Sequence, residues 1–185
     1  MDPVTAAFDA TPRVDFLPPD QRERTSYDGP LPIGHGQTCS QPRTVRAMLG
    51  LLEVRRGQRV LDVGSGSGWT TALLAHLVGP SGEVRGVEIV PDLVGFGRTN
   101  LATMRRGWAR IDATAPGVLG DPEHAPYDRV LVSAEADELP VPLVDQLVPG
   151  GRLVVPVRGE LLLVVADPDG PIVTSHGAYR FVPLR

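Results

Sequence analysis

The stretch Val60-Leu61-Asp62-Val63-Gly64-Ser65-Gly66-Ser67-Gly68 predicts the fold of this chain. A short apolar strand leads directly into a turn with glycine at every second position, and a helical pattern begins at Trp69. Glycine lets a backbone approach a ligand closely, and the first turn of a helix offers N–H groups without intrahelical partners. We therefore expect a small-molecule site at this junction of strand, turn and helix.

Two features distinguish this stretch from a dinucleotide or phosphate site. A nicotinamide dinucleotide fold needs a third glycine at position 69, where this chain has Trp69. Asp62, two residues before the first glycine, would repel a pyrophosphate. The same carboxylate suits a ligand that carries an ammonium group and a cationic sulfur.

Two more carboxylates stand at the ends of predicted strands. Glu88 follows Gly68 by 20 residues and ends the next strand, where a carboxylate can accept both hydroxyls of a ribose. Asp112 ends the strand after that. It is interpreted either as an acceptor for the exocyclic amine of adenine or as a helix cap or solvated turn.

Short β-favouring runs alternate with helical patterns along the core. The predicted strands are 59–63, 83–89, 108–112, 127–133 and 151–157, and the predicted helices are 69–78, 91–104 and 140–147. Segments 161–166 and 179–184, separated by the turn signal Asp167-Pro168-Asp169-Gly170, predict a terminal hairpin. We therefore expect an α/β, Rossmann-like, mainly parallel seven-stranded sheet with an antiparallel C-terminal hairpin and helices on both faces.

Length, composition and charge exclude several classes of function. The 185 residues and 42% hydrophobic content predict a single domain spanning residues 1–185. A formal net charge of −4 supplies no field that would draw the chain onto nucleic acid or an anionic membrane. All 18 residues counted as Lys or Arg are arginine, which excludes a lysine Schiff base and the lysine of a P-loop.

Cysteine and histidine usage argues against disulfides and metals. Cys39 is the one cysteine, and the four histidines lack paired ligand spacing, so we expect no disulfide within the chain and no protein-held metal. The longest apolar run, Leu161 to Ala166, is too short to span a membrane, and no secretory pattern is seen at the start. We expect a cytoplasmic monomer.

The region before residue 42 differs in character from the core at 42–185. Its first 38 residues are rich in Pro, Asp and Gly without a sustained period, which predicts an ordered but mostly irregular arm. Ser40 and Pro42, followed by apolar Val45, Met48 and Leu49, predict an amphipathic helix with Ser40 near its N-cap.

Several segments of the chain resemble protein-L-isoaspartate O-methyltransferases. The most distinctive is Tyr27-Asp28-Gly29-Pro30-Leu31-Pro32-Ile33-Gly34-His35-Gly36-Gln37-Thr38-Cys39-Ser40-Gln41-Pro42. The glycine turn and segments 86–94, 125–129, 146–156 and 181–184 are similar too, so the resemblance covers nearly the whole chain. It implies S-adenosylmethionine as cofactor, S-adenosylhomocysteine as product, and methylation of the free α-carboxylate of isoaspartyl residues in damaged peptides and proteins. The ester then collapses to a succinimide, which can reopen to normal aspartate.

The resemblance also implies roles for individual residues. Ser40 matches the active-site serine of the family, and residues 1–41 would form a substrate-binding arm. The positions it assigns to the cofactor are Gln37, Thr38, Asp62, Gly64, Ser65, Gly66, Ser67, Gly68, Glu88, Ile89, Asp112 and Ala113.

The chemistry of the reaction is compatible with a serine at position 40. A free α-carboxylate has a pKa of about 3.5 and is already ionised at neutral pH, so it needs no general base. The enzyme has to align the carboxylate and remove its water, and a hydroxyl can hold one oxygen. Two other interpretations remain open at this point, namely a Ser40 nucleophile with His35 as base, and a Ser40 that caps the following helix.

Departures from the family pattern leave other functions open. The chain has Asp112-Ala113 where Asp-Gly is usual and Cys39 where Ile is usual, and both ends of the expected substrate cleft are shorter. The alternatives are a tailoring methyltransferase that esterifies an aspartate side chain of a particular peptide, and a non-catalytic S-adenosylmethionine-binding module. A nucleic-acid methyltransferase is less compatible, because Ser133-Ala134-Glu135-Ala136 stands where an Asn/Asp-Pro-Pro-aromatic motif would be expected.

Overall fold

A computed structural model describes residues 2–184 and begins with an arm that has more regular structure than the sequence predicted. Helix α1 (Pro3–Asp9) is capped by Asp2, whose carboxylate accepts a hydrogen bond from the Thr5 backbone N–H at 2.9 Å. Two 3₁₀ turns follow, and then the antiparallel hairpin of β1 (Leu31–Gly34) and β2 (Gln37–Cys39). The prediction of a mostly irregular arm was therefore wrong. The helix and the hairpin of the arm are too short to produce a sustained period in the sequence, because the Asp2 cap and the glycine-rich turn that form them act over only a few residues.

The core is one seven-stranded sheet with the strand order β5-β4-β3-β6-β7-β8-β9. Strands β3 to β7 run parallel, and β8 and β9 are antiparallel to their neighbours. The predicted mixed sheet with its antiparallel C-terminal hairpin is confirmed. In chain order its elements are α2 (Pro42–Leu52), β3 (Arg59–Val63), α3 (Trp69–Val78), β4 (Glu83–Glu88), α4 (Pro91–Thr103), β5 (Ala109–Ala113), β6 (Tyr127–Val132), α5 (Val141–Val144), β7 (Leu147–Val157), β8 (Glu160–Val165) and β9 (Ile172–Ala178).

Side chains alternate between the two faces of the central strands. Val60 and Leu131 lie in one apolar layer with residues of the arm and of helices α2, α3 and α4, whereas Leu61 and Val130 lie in a second layer that α5 helps to cover. This period of two is the ordinary geometry of a strand. It also places the arm and the side chain of Asp62 on the same face of the sheet, since Asp62 lies between Leu61 and Val63 of the second layer.

The second strand of the terminal hairpin lies earlier in the chain than predicted. Strand β9 begins directly after the 167–170 turn, and all seven of its residues are exposed. The apolar segment 179–184 lies outside this strand and contacts the loop after β6 through a bridge between Glu135 and Pro183. An edge strand exposed on both faces needs no apolar alternation, so the sequence pattern favoured the wrong segment.

Ser40 does not cap helix α2, contrary to the sequence-based expectation. Gln41 occupies the N-cap position without a side-chain cap, and Pro42 begins the helix. The carboxylate of Asp28 instead accepts a hydrogen bond from the Arg43 N–H at 3.0 Å. A residue distant in sequence therefore satisfies this free donor of the first turn. None of the helices in the part of the chain described here is long and apolar enough to cross a membrane.

Candidate active site

The glycine turn follows β3, the strand at which the strand order of the sheet reverses. Strand β3 has β4 on one side and β6 on the other, and in open sheets of this kind ligands bind outside the carboxyl ends at such a point. Gly64, Gly66 and Gly68 all have positive φ angles. A Cβ on Gly68 would lie 2.9 Å from the carbonyl oxygen of Gly97, so this glycine also allows α3 and α4 to approach closely.

A cleft of about 860 Å³, partly open to solvent, begins at this turn, and we call it the inner cleft. Its lining comes from the arm, the glycine turn, the end of β4, the loop after β5 and the end of β6. The lining residues are 37–40, 63–67, 87–90, 118–120 and 182–184, together with Ile33, Trp69, Thr70, Thr114, Ser133 and Ala134. Most of the predicted cofactor positions are therefore brought together.

Glu88 is the one charged residue that lines the inner cleft within residues 2–184. Its side chain is buried, and its Oε2 accepts a hydrogen bond from the Gly66 N–H at 2.9 Å. Its Oε1 accepts hydrogen bonds from the N–H groups of Ile89 at 2.8 Å and Val90 at 3.0 Å. The carboxylate is thus fixed against the glycine turn, and its remaining lone pairs can still accept from a ligand.

Asp62 lies behind the glycine turn and is absent from the lining of the inner cleft. Its Oδ2 accepts hydrogen bonds from the hydroxyls of Thr70 at 2.8 Å and Thr71 at 2.6 Å, so it anchors the first turn of α3. Burial, with a smaller contribution from the charge of Glu88, raises the pKa of Asp62 to about 6 against the opposing effect of the two threonines. Its Oδ1 is buried without a partner among the described residues.

Asp112 and Ala113 are not brought into the inner cleft. The Asp112 carboxylate pairs with Arg98 at 3.1 Å and lines a separate surface groove beside α4. Thr114, the next residue after β5, lines the inner cleft instead, with its hydroxyl donating to the Val118 carbonyl at 3.1 Å. The position of a residue at a strand end indicated a loop that borders the inner cleft, but it gave no information about which side chain faces the cleft.

The arm contributes Ile33 and residues 37–40 to the lining of the inner cleft. The β1–β2 hairpin places Ile33 against the glycine turn, since a Cβ on Gly66 would lie 3.2 Å from the Ile33 Cδ1. Its turn, Gly34-His35-Gly36, has three successive positive φ angles. From this turn, His35 reaches Asp92 in the first turn of α4.

Arg13 organises the arm, and sequence reasoning missed it. The guanidinium is buried, and it donates to the backbone carbonyl oxygens of Tyr27, Gly29, Cys39 and Ser40 at 2.7 to 2.9 Å. It thereby holds the backbone of Cys39 and Ser40 in place beside the inner cleft. Bonds to carbonyl groups leave no signal in residue types, so nothing in the sequence pointed to this role.

A second depression, the outer groove, adjoins the inner cleft. The two share Thr38, Ser40, Ser133 and Val182 in their linings. The outer groove also carries the basic side chains Arg43 and Arg180 and the aromatic side chains Tyr179 and Phe181. An inner cleft whose one lining charge is negative therefore opens into a groove bordered by arginines.

Comparison with known proteins identifies the family. The family model of protein-L-isoaspartate(D-aspartate) O-methyltransferases matches residues 1–185. The chain belongs to this family. Protein-L-isoaspartate O-methyltransferases of Methanothrix thermoacetophila and Methanopyrus kandleri are each 45% identical to it, over 98% of this chain and 87% and 82% of theirs.

The fold comparison agrees with the sequence comparison. A Plasmodium falciparum crystal structure, described as a protein-L-isoaspartate O-methyltransferase in complex with S-adenosyl-L-homocysteine, is similar with a TM-score of 0.89 at 28% identity. The match covers 100% of this chain and 91% of that one. The resemblance inferred from the Tyr27 to Pro42 segment is therefore confirmed. Within residues 2–184, no group of three or more His, Cys, Asp or Glu side chains could hold a metal ion.

Proposed function

We propose that this member of the protein-L-isoaspartate O-methyltransferase family methylates the α-carboxylate of isoaspartyl residues in damaged peptides and proteins. The observation that carries the proposal is the pair of adjoining cavities that meet at Ser40. One is formed by the glycine turn and Glu88, and the other is a basic surface groove that can take a peptide. The family's curated members bear the name of this activity.

The inner cleft fits S-adenosylmethionine, the cofactor of this family. Its lining has a fixed carboxylate in Glu88 and no arginine among residues 2–184, which suits a ligand with an ammonium group and a sulfonium. The Ser65 hydroxyl is buried there without a hydrogen-bond partner among the described residues, which is typical of a group that binds a ligand. Glu88, the glycine turn, Gln37 and Thr38 would hold the cofactor, which supplies a methyl group bonded to a positively charged sulfur.

The roles of this chain's own residues follow from the charge of the acceptor. An α-carboxylate is ionised at neutral pH, so no residue has to remove a proton from it. Ser40 would donate a hydrogen bond to one carboxylate oxygen and so orient the other. The hairpin and the 182–184 segment would exclude water, because both line the cleft.

The chain divides into two functional parts within one domain, an arm and a core. We assign residues 1–41 to a substrate-binding arm and residues 42–185 to a Rossmann-like core within one domain. The support is that the arm and the core share one apolar layer, in which Phe16 and Leu31 pack with residues of α2 and α3. The cytoplasmic location and the monomeric state stay predictions, and the proposed activity depends on neither.

A matched pair of peptides tests the proposal. Purified protein with methyl-labelled S-adenosylmethionine is expected to methylate an isoaspartyl peptide at least 100-fold faster than its normal-aspartyl twin, because a misplacement of about 1 Å can cost on the order of 100-fold. Methyl ester or succinimide formed only from the aspartyl twin would establish the tailoring alternative. Cofactor binding without transfer to either peptide would establish the non-catalytic one.

A further inference from the structure

Ser133 is a buried hydroxyl at the junction of the two cavities. Its Oγ is inaccessible to solvent and has no hydrogen-bond partner among the described residues. Removing a hydroxyl from water without giving it a partner is unfavourable, so such groups are rare in folded proteins. The fold does not use this hydroxyl, and that argues for a ligand that does.

The backbone fixes where the Ser133 side chain points. Its N–H donates to the carbonyl oxygen of Val63 at 2.9 Å, which continues the pairing of β3 and β6 to the edge of the sheet. Leu131, two residues earlier, faces the apolar layer that contains the arm. Residues two apart on a strand share a face, and Ser133 continues the pairing directly after β6, so it faces the same side as the arm and its Ser40.

Ser133 belongs to both cavities. With Thr38, Ser40 and Val182 it lines the inner cleft and the outer groove, so it stands where a methyl donor and a methyl acceptor must meet. The backbone closes around this place, because the Glu135 N–H donates to the Val182 carbonyl at 2.7 Å. A group bound there would be largely sheltered from water.

We propose that the Ser133 hydroxyl is a second hydrogen-bond donor to the acceptor carboxylate, acting together with Ser40. This inference rests on the proposed function. One carboxylate oxygen can accept two hydrogen bonds, so two hydroxyls on the non-reacting oxygen fix the plane of the carboxylate. The other oxygen is then left to form the bond to carbon as the carbon–sulfur bond breaks. Both hydroxyls keep their protons, and the carboxylate charge is neutralised by the positive charge of the donor.

The first experiment compares catalysis with stability in Ser133→Ala. We expect kcat/KM for an isoaspartyl peptide to fall about 10- to 100-fold, with the Kd for S-adenosylmethionine within threefold of wild type. Because the hydroxyl lacks a partner in the free protein, the Tm is expected to stay the same or rise. Ser133→Thr, which restores a hydroxyl, should recover most of the lost activity.

A matched control and a double variant complete the test. Ser175→Ala removes a hydroxyl that is already bonded to Glu160 at 2.8 Å on the exposed β9, and it should leave kcat/KM unchanged. If Ser40 and Ser133 bind the same carboxylate, the effects of Ser40→Ala and Ser133→Ala should be clearly non-additive.

Two results would overturn the inference without touching the proposed function. They are a Ser133→Ala variant with wild-type kcat/KM, and one whose S-adenosylmethionine affinity falls as much as its kcat/KM. A wild-type protein that does not methylate the isoaspartyl peptide would instead overturn the proposed function, and this inference with it.

Discussion

The imidazole Nε2 of His35 lies 3.2 Å from the Oδ2 of Asp92, and this contact connects the arm to the start of α4. Both side chains are exposed, so the contact is worth at most about 1 kcal/mol. The contact matters because it bridges two elements that border the inner cleft. The hairpin covers the glycine turn, and α4 begins directly after the segment that ends in Val90.

His35→Ala is expected to speed release of S-adenosylmethionine by about 2- to 5-fold, since the loss of up to about 1 kcal/mol loosens the hairpin over the cleft. Stopped-flow fluorescence with displacement of the bound cofactor measures this rate. His176→Ala on β9 removes an exposed histidine outside the cleft and should leave it unchanged. An unaltered release rate in His35→Ala would show that the contact does not retain the cofactor.

Glu88→Ala should weaken S-adenosylmethionine binding about 10- to 100-fold. The substitution removes the proposed ribose acceptor, which is also the carboxylate that fixes the Gly66 N–H, and a charged hydrogen-bond partner is typically worth about 1.5 to 3 kcal/mol. Titration calorimetry gives the affinity, and circular dichroism confirms folding. Glu160→Ala on β8 is the control. Unchanged affinity in a folded Glu88→Ala variant would refute the assignment.

Ser40→Ala should lower kcat by about 10- to 1000-fold and leave the affinity for S-adenosylmethionine within a few-fold of wild type. Loss of a group that orients the acceptor is felt mainly in the transfer step. Since Ser40 does not cap α2, the variant should also keep the wild-type helix content. A covalent adduct on Ser40 detected by mass spectrometry would contradict the orienting role, as would full activity without the hydroxyl.

Asp62 should make the protein less stable as pH rises from about 4 to about 6. An unfolded aspartate has a pKa of about 3.9, whereas burial raises the pKa of Asp62 to about 6. Below pH 4 both states are protonated, and as pH rises the unfolded state loses its proton first. Asp62 therefore costs on the order of 3 kcal/mol of folding free energy between pH 4 and pH 6.5, and little more above that.

Asp62→Asn tests this pH dependence. The difference in unfolding free energy between Asp62→Asn and wild type, from urea denaturation, should shift in favour of the variant across pH 4 to 6.5. Asp169→Asn in the exposed 167–170 turn is the control, and its difference from wild type should not change in this way. Parallel curves for Asp62→Asn and wild type would mean that the buried carboxyl titrates alike in both states.

Local signals determined how much of the fold could be predicted. Strand β3 and helix α3 have the predicted bounds, because an apolar run on either side of a glycine turn leaves few alternatives. Strand β9 was misplaced because its exposed residues show no alternation of apolar and polar side chains, while 179–184 is apolar because Val182 and Leu184 line the cleft.

The residues of the candidate site likewise fall into those that a local sequence pattern predicts and those that it does not. Glu88 and the glycine turn could be paired from spacing alone, since the parallel strands β3 and β4 end side by side. The direction of the Asp112 side chain on β5 depends on Arg98 of helix α4, and the arm depends on Arg13, whose partners are carbonyl groups. Both are tertiary relationships without a local pattern.

The single guanidinium of Arg13 makes the opening of the arm cooperative. Its carbonyl partners lie 14 to 27 residues further along the chain, so the early arm, the approach to the hairpin and residues 39–40 are joined at one point. Segments joined in this way open together rather than fray one by one. Amide protons across residues 27–40 should therefore exchange with solvent as one unit, and access of a peptide to Ser40 becomes an all-or-none event.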